Sequence, residues 1–395
     1  MKRIHNPSIL LAILALAAFA SSGVSGPSAA TDPGTDPEFA PLPAAPIPAD
    51  NPQTPEKVEL GKLLFFDPRL GGDSSISCAD CHTPSLGWTD GADICRGYPG
   101  TSHWRNCQTI VNSAYFDKLF WAGAARSLEA QAPSAAKGGV AGNGEDDLME
   151  ERLRHIPEYV RRFLDVFGTE RPEIHDAWRA IAAFERTLVQ RDTPFDLYLQ
   201  GDSGAISEDA VRGMKLFTGK AGCIQCHNGP LLSDQRYYNI GVPENTGFEE
   251  DPLKQITFRY EQYAKGVSEE IYRKVKTDLG LYYRSKRDED MGKFRTPMLR
   301  YLEYTAPYMH NGAFYDLEEV IDFYNEGGGE DKIEAGFGHR TKTSLLKPLG
   351  LSDEEKRQLV EFLSTLNGEE ILVMTPELPP YGVDTGKGLR AEVQR

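Results

Sequence analysis

The chain is 395 residues long and carries 59 Asp and Glu against 43 Lys and Arg, a formal net charge of −16. That charge is repelled by phosphate backbones and anionic lipid, which argues against nucleic acid and a membrane surface as partners and favours a basic redox protein. Six cysteines and eight histidines are few enough for their placement to carry information.

At the N-terminus, Lys2 and Arg3 precede an apolar run from Ile9 to Ala20, followed by the small residues Ser21, Ser22 and Gly23. This is the order of a secretory signal, assigned to residues 1–25, and the run is too short to span a bilayer comfortably. No cysteine near its end offers a site for a lipid, so no membrane anchor is expected. The mature protein should be exported, in a bacterium to the periplasm. Residues 26–56, rich in Pro, Ala, Asp and Thr, lack apolar periodicity and read as a flexible leader.

A short helix is expected over residues 54–66, then a Gly/Ser/Asp-rich segment and loop to about Asn112. Helical periodicity covers 146–167 and 172–191, the second with Ile174, Trp178, Ile181, Ala182 and Phe184. Residues from Thr193 to about Gly204 read as a connection between domains. Ser207, Glu208 and Asp209 open a further helix. Residues 240–295 are polar and give no clear element. Asp316 with Glu319, and Ser352 with Glu355, mark two late helix starts. The tail, 373–395, holds Pro376, Pro379 and Pro380 and should be irregular. Strand signals are few, so the fold is expected to be mostly α with long loops.

Two pentapeptides stand out from this background: Cys78-Ala79-Asp80-Cys81-His82 and Cys223-Ile224-Gln225-Cys226-His227. In the Cys-x-x-Cys-His run both thiols add to the vinyl groups of haem, and the adjoining histidine binds the iron. Zinc, or a redox dithiol, would explain a Cys pair but not the histidine following it twice. The chain should therefore carry two covalent haems c, attached through Cys78 and Cys81 and through Cys223 and Cys226, with His82 and His227 as axial ligands. Two cytochrome-c-like haem domains follow, 57–192 and 193–372. The remaining cysteines, Cys95 and Cys107, are either a disulfide across a short loop or two buried thiols.

Further runs accompany the motifs: Arg295-Thr296-Pro297-Met298-Leu299-Arg300, Tyr304-Thr305-Ala306-Pro307-Tyr308-Met309-His310-Asn311-Gly312, Phe120-Trp121-Ala122-Gly123, Ser127-Leu128-Glu129-Ala130-Gln131, and Arg105-Asn106. With them the chain resembles the bacterial di-haem cytochrome c peroxidase and MauG superfamily over roughly residues 55–370. The resemblance implies that the first haem takes peroxide on an open face and the second, closed by two protein ligands, moves electrons. The removable distal histidine of the peroxidase branch falls here on Tyr98, with His103 nearby as a substitute.

Opposite the second haem the peroxidases use methionine, and the matching position is Tyr324, as in MauG-like members. By itself a tyrosine sharing a helical face with Leu317, Val320 and Ile321 reads as core; the resemblance makes it a ligand, with Met291, Met298 and Met309 as competitors. The resemblance also places Trp121 between the haems as an electron relay and Gln131 over the peroxide site. It places a calcium ion on Asn106, Thr305 and Pro307. The usual acid/base glutamate has no clean equivalent, Glu145 being a candidate only if the loop has grown. The surface tryptophan that relays holes to a docked protein is replaced by Ala221.

A hard, anionic phenolate stabilises higher-valent iron. The implied activity is therefore MauG-like: hydrogen peroxide generates a bis-Fe(IV)-like state that oxidises an aromatic residue, a tryptophan, of a periplasmic partner protein. The alternatives are a cytochrome c peroxidase reducing H₂O₂ to water with electrons from a small cytochrome or cupredoxin, and a di-haem carrier without catalysis. The missing distal histidine argues against the carrier.

Overall fold

Prolines and caps decide where the helices begin. The structure is a computed structural model describing residues 39–382; the expected signal segment, the start of the leader and the end of the tail lie outside them. Thr54 accepts the amide hydrogen of Lys57 and Pro55 takes the first helical position, where a missing N–H costs nothing, so α1 spans Pro55–Phe65. The first Cys-x-x-Cys forms the single turn α2, Cys78–Cys81, and Ser127 caps α3, Leu128–Ala136. The pattern over 146–167 resolves into two helices, α4, Asp146–Arg154, and α5, Pro157–Phe167. Pro157 cannot donate to the preceding turn and so opens a new helix. Next comes α6, Ile174–Glu185.

The expected connector contains a helix, α7, Pro194–Leu199, fixed by a capping box of Thr193 and Asp196. Then comes α8, Glu208–Thr218, and the second Cys-x-x-Cys follows as a 3-10 turn. The polar stretch that gave no clear pattern holds α9, Thr246–Glu250, α10, Pro252–Ala264, α11, Glu269–Lys274, and α12, Tyr282–Ser285. Three late helices are α13, Leu317–Asn325, α14, Lys332–Phe337, and α15, Asp353–Ser364, with the first and last capped by Asp316 and by the Ser352–Glu355 box. The one sheet among the described residues pairs β1, Tyr237–Tyr238, antiparallel with β2, Phe294–Arg295. The fold is mostly α, as expected.

The same helix crossing occurs twice. α1 meets α6 at Gly61, where a Cβ would lie 1.9 Å from the Ala180 carbonyl oxygen. α8 meets α15 at Gly213, where a Cβ would lie 1.8 Å from that of Gln358. Only glycine allows helices to approach this closely. Around the first crossing pack Leu60, Leu64, Phe65, Trp88, Tyr159, Phe163, Trp178 and Phe184. Around the second pack Phe195, Phe217, Leu359, Phe362 and Leu366. A third apolar group, with Trp104, Phe258, Val275, Leu279 and Tyr283, is built largely by α10–α12.

The ends of the described chain cross over. Phe39, in the expected leader, packs its ring 5.2 Å from Phe195 and 5.9 Å from Phe217, and Leu42 is buried. From Phe39 on, the leader is thus part of the packed structure; isolated apolar residues can seat in a core without any periodicity to announce them. At the other end, the segment from Ile371 into the irregular tail returns to the first core. The Ile371 carbonyl accepts the Trp88 indole N–H at 2.7 Å, and the Gly382 amide donates to the His155 carbonyl at 3.0 Å. Among the described residues no helix is long and apolar enough to cross a membrane.

Candidate functional site

A cavity of about 840 Å³ is lined by both Cys-x-x-Cys-His motifs. The two histidines are held alike. Nδ1 of His82 lies 3.0 Å from the Trp88 carbonyl oxygen, and Nδ1 of His227 lies 2.9 Å from that of Leu232. A carbonyl can only accept, so each Nδ1 carries the hydrogen and each Nε2 keeps a lone pair for a metal. Both accepting residues sit in left-handed backbone, with φ of 61° at Trp88 and 52° at Leu232, a conformation uncommon outside glycine. Burial lowers the pKa of both imidazoles, which keeps them neutral. It also pushes up the thiols, Cys81 and Cys223 to about 12, so they stay protonated. Free thiols, a metal-ready imidazole and a shared cavity at both motifs fit covalent haem.

Cys95 and Cys107 are disulfide-bonded. They close a hairpin in which the Cys95 amide donates to the Arg105 carbonyl and the His103 amide to the Cys95 carbonyl. The Arg105 guanidinium lies 4.0 Å from the Trp104 ring and makes two bonds to Asp278, at 2.6 and 2.9 Å. The hairpin is therefore anchored to the segment before α12. His103 lines the cavity, whereas Tyr98 does not. Nδ1 of His103 accepts the Arg105 amide hydrogen at 3.1 Å, which leaves the hydrogen of the neutral ring on Nε2. Burial, with the nearby Arg105 charge, takes its pKa down to about 4. In this tautomer Nε2 of His103 carries the hydrogen and offers no lone pair.

α3 turns Leu128, Gln131, Ala132 and Ala135 to the cavity, and the Gln131 amide has no protein hydrogen-bond partner among the described residues. Trp121 also lines it; its indole donates to the Asn106 carbonyl at 3.0 Å, and its ring stands edge-on to His310, 6.4 Å away. α13 presents Leu317, Val320, Ile321 and Tyr324 to the cavity. Burial and then the thiols of Cys223 and Cys226 raise the Tyr324 pKa, which puts this phenol beside the second motif. Met298 and Met309 share the lining, and Met291 does not.

Asn106, Thr305 and Pro307 line the cavity together. The Asn106 side-chain N–H donates to the Ala92 carbonyl at 3.0 Å, so Oδ1 faces away from that bond. Among the described residues neither this oxygen nor the carbonyls of Thr305 and Pro307 accepts a hydrogen bond, which suits a hard cation. The sequence-derived site residues thus meet on one wall system. Glu145 does not join them; it precedes α4, away from the cavity. A carboxylate that sequence reasoning missed does line it: Glu185, at the end of α6. The signal was present, because Glu185 continues the apolar face of Trp178 and Ile181, where an acid is out of place.

The family model described as di-haem cytochrome c peroxidase matches residues 55–204. The chain is 56% identical over 378 residues to cytochrome-c peroxidase IdrP1 of Denitromonas iodatirespirans, covering 95% of this chain and 97% of that protein. It is 36% identical over 370 residues to methylamine utilization protein MauG of Methylorubrum extorquens, covering 92% and 94%. Among solved structures, a MauG-like protein associated with microbial copper homeostasis superposes with a TM-score of 0.69 at 31% identity, covering 83% of this chain and 94% of that one.

Proposed function

The chain belongs to the di-haem cytochrome c peroxidase and MauG family and is a di-haem peroxidase-type oxidoreductase; from there we propose that it reduces hydrogen peroxide to water in the periplasm with electrons from a small cytochrome or cupredoxin. The observation that supports this reading is that Gln131 and His103, two groups that can hydrogen-bond peroxide, line the cavity into which the first motif opens.

When bound, the two haems c would supply the redox chemistry for peroxide reduction. Cys78 and Cys81 would hold the first, Cys223 and Cys226 the second. His82 and His227 would each offer Nε2 to an iron, oriented by the carbonyls of Trp88 and Leu232. Tyr324 would offer its phenol oxygen to the second. The Gln131 amide and the His103 Nε2–H would orient peroxide, and the apolar α3 face would exclude bulk water. Trp121, between the Asn106 carbonyl and His310, would relay electrons. Asn106, Thr305 and Pro307 would hold a calcium ion across the two halves.

Tyr324 favours a second reading, the MauG-like oxidation of a partner's aromatic residue, because an anionic oxygen donor stabilises oxidised iron. The similarity to proteins named cytochrome-c peroxidases supports the first. One experiment separates them. Peroxide is added to the fully oxidised holoprotein, with and without a reduced small cytochrome. Rapid donor oxidation at two electrons per peroxide is the expected result. Indifference to the donor, with both oxidising equivalents retained for minutes, would favour the second reading.

A further inference from the structure

We infer that Glu185 is the proton-holding group of the peroxide pocket, passing a proton to the departing oxygen of H₂O₂. The inference rests on the peroxidase reading above and names a residue that reading lacks. Glu185 closes α6 where that helix packs against α3, the helix that carries Gln131. It is only 4% exposed, yet it lines the cavity, and its Oε2 is sealed without any hydrogen-bond partner. A buried carboxyl with an unused oxygen costs free energy unless it is protonated or serves a ligand.

The surroundings favour the acid form. Neighbouring Arg186 lowers the carboxyl's pKa, but its guanidinium is shared with Glu129 of α3 at 2.6 Å, and the Glu129 charge acts the other way. From α2 the facing group is Cys78, which becomes an uncharged thioether once haem is attached. Burial therefore dominates and pushes the Glu185 carboxyl up to about 8, where it still holds its proton at neutral pH.

The step balances as H₂O₂ + 2 e⁻ + 2 H⁺ giving two waters. The electrons are those of the reduced small donor, which the haems, when bound, would pass on. As the O–O bond breaks, the far oxygen gains the Glu185 proton and leaves as water. The near oxygen keeps its own hydrogen, takes the second proton from solvent and leaves as water, and the Glu185 carboxylate regains its proton from solvent.

The test uses haem-loaded Glu185→Gln, which keeps shape and hydrogen bonding but cannot shuttle a proton, with Glu185→Asp as the conservative partner. The expected loss is roughly 10²-fold in the rate of reaction with peroxide for the Gln variant, with partial recovery in the Asp variant. The wild-type rate should fall as pH rises through about 8, and the Gln variant should lose that dependence. Independently of turnover, infrared spectra of the resting protein should contain a protonated carboxylic-acid C=O band that titrates near that pH and is absent from the Gln variant. An unchanged rate in Glu185→Gln, or the same infrared spectrum in both proteins, overturns the inference. If wild type itself does not react with peroxide, the peroxidase reading fails instead, and the infrared arm still decides whether Glu185 is protonated.

Discussion

Nδ1 of His82 donates to the carbonyl of Trp88 at 3.0 Å, and that same residue's indole N–H is fixed at 2.7 Å by Ile371. One tryptophan thus sets the tautomer of an axial histidine through its backbone and its own position through its side chain. Trp88→Phe should keep the carbonyl and the haem spectrum and cost about 1 kcal/mol, the worth of a hydrogen bond. Trp88→Ala, at a site with 0% exposure, should cost roughly 3–5 kcal/mol. Urea unfolding followed by haem absorbance distinguishes them; equal losses would contradict the division of roles.

Tyr324→Phe removes an oxygen donor without emptying the site. If Tyr324 closes the second haem, the ferric low-spin EPR signal should convert to high-spin. Tyr324→Met should restore a low-spin signal with a raised reduction potential, because a thioether favours the reduced state. A Phe variant with an unaltered low-spin signal would exclude Tyr324 as the ligand.

His103 gives a prediction of the opposite kind. With its Nδ1 occupied by the Arg105 amide, its Nε2 carries a hydrogen and cannot close the first iron. The ferric protein should therefore contain one high-spin and one low-spin haem, and His103→Ala should leave both signals in place. Losing a donor to peroxide should slow its reaction by on the order of tenfold or more. A wild-type protein with two low-spin haems, one of which turns high-spin in His103→Ala, would show the histidine ligating.

Arg300 and Asp196 form a pair buried at 0% and 1% side-chain exposure, with bonds of 2.7 and 2.8 Å. Arg300 also donates to the Pro230 carbonyl at 2.6 Å, close to the second motif. Asp196→Asn leaves an uncompensated buried guanidinium and should cost roughly 3–5 kcal/mol. Burial alone would raise the Asp196 pKa, but the bonds from Arg300 outweigh it and hold the carboxyl below the usual carboxylate range. Its contribution is therefore present above the ordinary carboxylate pKa and lost as pH falls through the lower folded value. Acid unfolding curves of Asp196→Asn should lack that component; curves parallel to wild type would argue against it.

The sequence announces local features well and distant ones poorly. Thr54 with Pro55, Asp316 and the Ser352–Glu355 box mark helix starts because a cap acts within one turn. The break at Pro157 is equally local, a missing N–H, but the reading by periodicity ran through it and gave one helix where there are two. Residues 240–295 gave no pattern because their short helices bury against Trp104 and Ile94, more than a hundred residues earlier, rather than along one continuous face. The haem-attachment motifs are legible because covalent chemistry needs fixed spacing. Glu185 belongs to no such motif; its signal is only an acid that continues the apolar face of Trp178 and Ile181.

The crossing of the chain ends bears on the order of synthesis. Trp88 has no acceptor for its indole until residue 371 is made, and Phe195 lacks the ring of Phe39 unless the beginning of the chain stays at hand. The core that is encoded first is therefore completed last, and the two cores become whole only when both ends of the chain are in place.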